Sequence, residues 1–286
     1  MIKLNTLQRS ALKILENILN TNVRDSVRTE HETIDKIKEI ISNEDNGRKI
    51  VELYEEIKTP RDAFNKLMKY DSYAANHGVD VQNQCFDISR NIVDYDFDEN
   101  LPDSARLHDF GKILIDNELL YKEKLTEKSL ALYEKHLIQY GHTLLAETLG
   151  TLFGLHPAII HAAACHHDKH PELPYPHNDT NKVIDTIIEI NPEKYPGIYD
   201  KEKIRKSTDI VTVSDNIISI ADTVCAMKDK NRSVYDGDHT KDEIYNTLLD
   251  RVAKGCYDKE IVMAYLKSER LDIEKIKYLF KQHNIK

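Results

Sequence analysis

Residues able to bind a metal ion and a phosphate first come together in the hexapeptide LHDFGK at positions 107–112. His108 and Asp109 are adjacent, and Lys112 lies four and three residues after them. Such residues share one face of a helix, so Lys112 is predicted to lie beside both. A metal ion and a phosphate-sized anion could therefore bind side by side. An adjacent His–Asp pair also arises by chance as a solvated helix end, so the interpretation depends on further ligands downstream.

Further candidate ligands occur later in the chain. Nine of the thirteen histidines fall between His108 and His177, and so many buried imidazoles are costly unless they are hydrogen-bonded or bind something. Asp222 stands among apolar residues, where a carboxylate needs a cation. A lone histidine such as His77 can instead be a satisfied core residue. The predicted metal ligands are His77, His108, Asp109, His136, His166, His167 and Asp222.

The number and type of these ligands predict a binuclear centre. Seven ligands are too many for one ion, whereas two ions about 3.5 to 4 Å apart would use them and could clamp the attacking and leaving oxygens of a phosphoester. Five imidazoles and two carboxylates form a mixed nitrogen and oxygen site, which suits iron or manganese, with zinc, nickel or cobalt as alternatives. Asp109 is the natural bridging carboxylate.

Helices are predicted to position these ligands, because apolar residues recur at helical spacing along the chain. The expected fold is an all-α, multi-helix bundle. Residues 1–59 form an N-terminal appendage of two or three amphipathic helices, and Thr59-Pro60 caps the first helix of a second domain, 60–286. Three amphipathic helices are expected after Thr240. No confident strand is predicted.

Three of the predicted helices carry ligands from the middle and end of the chain. One spans 126–149 and carries His136, and another begins at Pro157 and leads to His166 and His167. A long buried helix capped at Thr208 or Asp209 carries Asp222. The proline-rich stretch between the last two helices is predicted to be a loop or lid, apart from a short helix at 183–190.

Composition excludes several classes of partner. The formal net charge is −9, which argues against binding a nucleic-acid polymer, since that binding depends on Lys and Arg releasing counterions. No apolar run approaches the roughly 18 residues that a membrane span needs, and the N-terminus has no signal-peptide design. Four widely spaced cysteines without a CxxC pattern are typical of reduced thiols, so a cytoplasmic protein is expected.

Five segments of the chain resemble the HD superfamily of metal-dependent phosphohydrolases, specifically its HD-GYP branch of cyclic dinucleotide phosphodiesterases. These segments are DSYAANH, ARLHDFGK, EKHLIQYGHTLL, CHHD and ISIADTVCAM, and they occur in the family's order over roughly residues 61–270. The resemblance implies the HD-domain type of helical bundle and a hydrolase that acts on a small nucleotide.

The resemblance also assigns roles to the ligands. It implies that His77, His108, Asp109 and Asp222 hold one metal, while Asp109, His136, His166 and His167 hold the second. It further implies attack on phosphorus by a metal-bridging hydroxide, with Lys112 neutralising charge on the nonbridging oxygens. Arg232 resembles the family's phosphate-binding arginine, with a surface cation as the alternative, and Tyr175 and Tyr235 are further candidate substrate contacts.

The chain departs from the family pattern at several positions. Of the glycine-rich signature that ends in Gly-Tyr-Pro, only Tyr175 and Pro176 remain, and residues near 177–206 form an insertion that could act as a lid. Tyr73 stands where some relatives supply an extra Glu for a third metal, which favours two metals here. Gly141 follows His136 one residue later than expected, so His142 or a local helix bulge is the alternative arrangement.

The ligand set and the resemblance lead to two main functional hypotheses. The first is a dimetal phosphodiesterase that hydrolyses a cyclic dinucleotide such as cyclic di-GMP, or another small phosphoester. The second is a non-hydrolytic regulator that senses a nucleotide and passes the signal through the N-terminal helices, where a second copy of the chain or a regulatory partner could bind. A third hypothesis is a diiron oxygenase, since some HD relatives use dioxygen.

Overall fold

The computed structural model describes residues 4–93, 98–121, 131–167, 176–195, 201–229 and 239–285, with the backbone alone for 132, 181 and 201–211. Within these ranges the regular structure is helical, which confirms the predicted all-α class. The only extended pairing among them is an isolated antiparallel bridge between Val23 and His177. Within the same ranges, no helix combines the length and the apolar character that crossing a bilayer requires.

The N-terminal part contains four helices between residues 4 and 56, rather than the predicted two or three. They are α1 (Leu4–Thr21), α2 (Asp25–Arg28), α3 (His31–Ser42) and α4 (Glu44–Glu56). The next helix, α5 (Pro60–Tyr70), begins where the sequence predicted it. Thr59 accepts a hydrogen bond from the Asp62 backbone, while the Asp62 side chain accepts one from the Thr59 backbone. This reciprocal pairing satisfies two amide groups that would otherwise lack partners.

The remaining helices carry the candidate site and pack around it. They are α6 (Ser72–Ser89), α7 (Leu101–Leu107), α8 (Asn117–Leu120), α9 (Leu132–His136), α10 (His142–Phe153), α11 (Pro157–Cys165), α12 (Val183–Ile190), α13 (Lys201–Lys228), α14 (Lys241–Ala253), α15 (Lys259–Ser268) and α16 (Ile273–Gln282). A 3₁₀ segment, Phe110–Leu114, follows α7, and a π-helical turn, Leu137–Gly141, joins α9 to α10. The three helices after Thr240 confirm the prediction.

The start of α13 differs from the sequence prediction. Helix α13 begins at Lys201, before the predicted cap at Thr208 or Asp209, because Lys, Glu and Arg in KEKIRK are all good helix formers. The last residues of the predicted insertion, 201–206, therefore belong to this helix. The predicted start of the helix at 126–149 lies outside the described residues, and its described part begins with α9.

Two hydrophobic clusters form the core of the described part of the chain. One joins the N-terminal helices to α10, α11 and α12, and includes Leu15, Ile37 and Leu149. The other joins α6 and α7 to α13, α14, α15 and α16, and includes Val81 and Ile220. Taken together, the helices that carry the predicted ligands contribute residues to both clusters. Both cores therefore hold the site in place.

Candidate metal centre

Seven of the described side chains, from five helices or their ends, meet between the two cores. They form three overlapping groups whose ligand atoms lie within 4.8 Å of one another, made from His77, His108, Asp109, His142, His166, His167 and Asp222. Six of the seven are buried and His167 is partly exposed. Six of them were predicted from the sequence, and His142 was not among the predicted ligands.

His77, His108 and Asp222 form one side of the site. Nε2 of His77 lies 2.8 Å from Oδ1 of Asp222, and Nε2 of His108 lies 3.8 Å from the same oxygen. Helix α6 supplies His77 and helix α13 supplies Asp222, while His108 terminates α7. Three separate helices therefore direct their donor atoms to one point.

His142, His166 and His167 form the other side. Helix α10 begins with His142, and the other two rings follow the last residue of α11. Nε2 of His142 and Nε2 of His166 are 3.5 Å apart, and the ring centroids of His166 and His167 are separated by 4.0 Å. This concentration of imidazole nitrogens is a donor set that suits a borderline transition-metal ion.

Asp109 lies between the two sides. Its Oδ2 is 3.4 Å from His108 Nε2 and 2.6 Å from Lys112 Nζ. Its Oδ1 is 3.5 Å from His142 Nε2 and 3.9 Å from His166 Nε2. Each carboxylate oxygen therefore faces a different half of the donor set, as the bridging role predicted for Asp109 requires.

Hydrogen bonds at the far side of two rings support metal binding. Nδ1 of His108 lies 2.7 Å from the Ala105 carbonyl, and Nδ1 of His166 lies 3.2 Å from the carbonyls of Ala162 and Ala163. A carbonyl only accepts, so Nδ1 must carry a proton in both rings. Nε2 is then the nitrogen of each ring that faces Asp109, and in the neutral ring its lone pair is available to a cation bound beside that carboxylate.

The charges of the site favour a cation. Burial raises the pKa of Asp109, but Lys112 and His108 outweigh it and hold this pKa well below its usual range. Burial likewise raises the pKa of Asp222, and His77 and His108 reverse the effect. Both groups are therefore carboxylates at neutral pH. Burial lowers the pKa of His108, yet the two carboxylates raise it above the ordinary value, which shows that they attract positive charge.

The imidazoles on the other side stay neutral. Burial lowers the pKa of His166 to about 4 and lowers the pKa of His142 and His167 well below the usual value of 6.5. A neutral imidazole is the form that binds a metal. Neutral histidines and ionised carboxylates occur together at neutral pH, so this side of the donor set is ready for a cation without prior deprotonation.

These shifts predict acid sensitivity of the chelated protein. Unfolded His166 would bind a proton near pH 6.5, whereas the folded residue binds one near pH 4. The unfolded state therefore binds more protons between these values, and the free energy of unfolding should fall as pH decreases from 6.5 to 4. Denaturant titrations in the presence of a chelator would measure this slope. Replacing His166 with Asn should reduce it, and an unchanged slope would contradict this origin.

His136 does not join the donor set, which corrects the prediction for the second metal. Its Nδ1 lies 2.8 Å from Oε2 of Glu30, and its ring packs against Tyr140 with centroids 5.2 Å apart. The π-helical turn after His136 adds a residue to the helix and changes the register of the residues beyond it. As a result His142 faces Asp109, and the displaced position of Gly141 was the sequence signal for this bulge.

Replacing His142 and replacing His136 should affect bound metal differently. Replacing His142 with Ala should lower the bound metal from two ions toward one per chain, because it removes a donor beside Asp109. Replacing His136 with Ala should leave metal content unchanged, since that ring contacts Glu30 instead. Elemental analysis of the purified variants measures both results. Equal metal loss in the two variants would contradict this assignment of the ligand.

Lys112 is a buried cation beside the site. It is 8 % exposed and donates to Asp109 from the 3₁₀ segment, where residues three apart lie in line. This contact confirms the predicted proximity to Asp109. A fixed ammonium next to the carboxylates adds the positive charge that an anionic ligand would meet in a protein with a net charge of −9.

Close backbone contacts hold the 3₁₀ segment against α10. A Cβ atom at Gly111 would stand 1.8 Å from the His142 carbonyl oxygen and 2.6 Å from the Ala146 nitrogen. Gly78 performs the same role between α6 and α7, where a Cβ would lie 2.5 Å from the Arg106 carbonyl oxygen. These glycines allow the helices that carry His77, Asp109 and His142 to approach closely enough for their side chains to meet.

Helix α13 also supports His166 through its backbone. Ser219 donates to the His166 carbonyl, and the Ser219 carbonyl lies 3.2 Å from the Tyr257 hydroxyl. Tyr257 in turn contacts Thr223 and Arg251. This buried network connects the C-terminal helices to the end of α11.

A cavity of about 760 Å³ at the surface reaches His77 from outside. It lies between α6 and the end of α13, and Tyr73 donates a hydrogen bond to Asp229 at its wall. The lining also includes Asp80 and Asp87, so this opening has an acidic wall.

Three predicted substrate contacts lie outside the described residues. They are Tyr175, Arg232 and Tyr235. Their roles remain predictions from the family resemblance.

Comparison of the chain with protein-family models, curated proteins and solved structures finds no match. The functional conclusion therefore depends on the geometry of the donor set.

Proposed function

We propose that this protein is a dimetal phosphohydrolase with an HD-type fold that cleaves a phosphodiester bond in a small nucleotide, with a cyclic dinucleotide as the first candidate. The observation that carries the proposal is the position of Asp109. Its Oδ2 lies 3.4 Å from His108 and 2.6 Å from Lys112, while its Oδ1 lies 3.5 Å from His142 and 3.9 Å from His166. Metal-assisted phosphoester hydrolysis needs ligands for the ions and a positive charge beside the phosphate, and this donor set with Lys112 can supply both.

The donor set fits two ions better than one. His142, His166 and His167 form one group of donors, His77, His108 and Asp109 form a second, and His108, His166 and Asp222 form a third. Iron or manganese suits this mixture of imidazole and carboxylate, and zinc, nickel and cobalt are alternatives. When bound, the ions would supply a Lewis acid for the phosphoryl group and an activated water as nucleophile.

The protein's own residues have distinct tasks in this proposal. Asp109 and Asp222 remain ionised and hold positive charge at the site, while His142, His166 and His167 stay neutral as ligands. Lys112 is buried and already paired with Asp109, so its charge would be available to a nonbridging phosphate oxygen with little reorganisation. Burial of six of the seven donors limits competing water and strengthens these interactions.

A nucleotide screen with defined metals tests the function. Protein loaded with iron or manganese should release product from at least one member of a panel of cyclic and linear nucleotides, and chelation should abolish release. The Asp109→Ala variant provides the control. Failure of the metal-loaded protein on the whole panel would contradict the proposal. Tight nucleotide binding without turnover would favour a sensing role, and oxygen consumption with an organic substrate would favour an oxygenase.

A further inference from the structure

The cavity that reaches His77 lies where α6 and α13 pack against each other. His77 and Asp222 are each 7 % exposed, whereas the other four buried donors are 1 to 2 % exposed. Three other surface cavities between described residues contact none of the seven donors. The cavity beside His77 is therefore an opening from solvent to the donor set.

Both walls of this cavity continue from a donor along one side of a helix. On α6, Asp80 and Asp87 follow His77 by three and ten residues, and on α13, Lys228 follows Asp222 by six. At a rise of about 1.5 Å per residue, Asp80 and Asp87 lie roughly 4.5 and 15 Å from His77 along the helix axis. Two carboxylates thus stand at successive distances from the donor set.

The charge of the lining is negative. Asp80 and Asp87 are exposed carboxylates, and Asp229 is a third carboxylate in the wall. Lys228 is the cation in this lining, and its Nζ pairs with Glu269 at 3.0 Å. An opening with this charge attracts a divalent cation and repels a phosphate.

We propose that this cavity is the route by which a divalent cation enters the metal centre, and that Asp80 and Asp87 steer the ion along it. The inference rests on the metal-binding part of the proposed function. Both carboxylates lie outside the seven donors. Their removal should therefore slow metal uptake and leave the number of bound ions unchanged.

The rate at which chelator-stripped protein binds Co²⁺ tests this route. Imidazole and carboxylate ligands change the visible absorption of this ion, so stopped-flow absorbance follows binding without any nucleotide. A double variant, Asp80→Asn with Asp87→Asn, should bind Co²⁺ about tenfold more slowly at about 0.01 M ionic strength, which is the lower end of the range for electrostatic steering. The difference should nearly vanish at about 1 M, where the Debye length is about 3 Å.

A variant of opposite charge effect and a matched control complete the test. Lys228→Met removes the cation of the lining while Lys241 still pairs with Glu269 at 2.7 Å, so uptake should become about threefold faster, the effect of one charge if two give tenfold. The control is a second double variant, Asp35→Asn with Asp45→Asn. It makes the same change of net charge at exposed residues of α3 and α4 outside the lining, so its uptake rate should equal that of the wild-type protein.

The outcomes separate the route from the proposed function. Equal uptake rates in the wild-type protein, the cavity double variant and Lys228→Met would overturn the route and place metal entry elsewhere, such as beside partly exposed His167. Fewer bound ions in the cavity double variant, by elemental analysis, would also overturn it, because the two carboxylates would then be ligands. Wild-type protein that binds no Co²⁺ would contradict the metal centre, and the route would fail with it. Protein that takes up Co²⁺ as expected but hydrolyses no nucleotide would contradict the hydrolase alone.

Discussion

Replacing Asp109 with Ala is expected to cause the largest loss of metal and activity of any single change. Asp109 is the only residue in the described donor set whose two oxygens face both halves of the site. Its removal takes away a ligand from each half, so bound metal should fall from two ions to one or none. Hydrolysis should fall by roughly a thousandfold or more, since loss of one stabilising group in a preorganised site already costs that order.

The same variant should also be less stable without metal. Lys112 is buried and would lose its nearest anion, and a buried charge left unpaired costs about 3 to 5 kcal/mol. Asp109→Asn separates this effect from the chemistry, because its amide oxygen can still accept from Lys112 while the bridging charge is lost. Elemental analysis, denaturant titration and the nucleotide assay measure the three consequences.

A matched control is Asp45→Ala, which removes an exposed carboxylate that pairs with Arg48. This variant should keep both metals, its stability within about 0.5 kcal/mol and full activity. Retention of two metals and of turnover by Asp109→Ala would show that Asp109 does not bridge the site.

Replacing Gly111 with Ala is expected to cause the second large effect. The new methyl group would stand 1.8 Å from the His142 carbonyl oxygen and 2.6 Å from the Ala146 nitrogen. Both are backbone atoms of α10, so no side chain can rotate away to make space. The 3₁₀ segment and α10 must separate, at a cost of about 3 kcal/mol or more in the free energy of unfolding.

This separation also reaches the metal centre. Asp109 and Lys112 flank Gly111, and His142 begins the helix that would be displaced. We therefore expect metal content and hydrolysis to fall together with the unfolding midpoint, as measured by elemental analysis, nucleotide assay and thermal unfolding. Gly47→Ala is the comparison, because its added methyl group meets the Gln8 amide, which donates to the Ile41 and Asn43 carbonyls, so it disturbs packing away from the donor set and should leave metal content unchanged. Equal, small effects in both variants would contradict the proposed close approach.

The sequence and the structure agree best where a ligand stands in a regular helix or at its end. His77 and Asp222 lie inside α6 and α13, as helical periodicity and apolar neighbours predicted, whereas His108 and Asp109 were predicted on a helix and instead lie between the end of α7 and the 3₁₀ segment. The capped start at Thr59-Pro60 was located for a similar reason, since capping depends on residues three apart. Local chemistry is sufficient for features of this kind.

The position of His142 could not be predicted from local sequence pattern. A regular helix through 132–153 would direct His136 and His142 differently from the helix with a π-helical turn at Leu137–Gly141. That turn depends on how α9 and α10 pack, including the contact of His136 with Glu30 from the N-terminal helices. The sequence contained a sign of the shift in Gly141, but could not decide between a bulge and a change of ligand.

By itself, the sequence determined the helical class, most of the helix positions and six of the seven side chains that the structure brings together, because these depend on residue type and on spacing within single helices. Only the tertiary structure decided that His142 completes the set, that Asp109 faces both halves, and that Asp222 lies beside His77. These contacts join residues up to 145 positions apart, and the pattern of either segment alone carries no information about its distant partner.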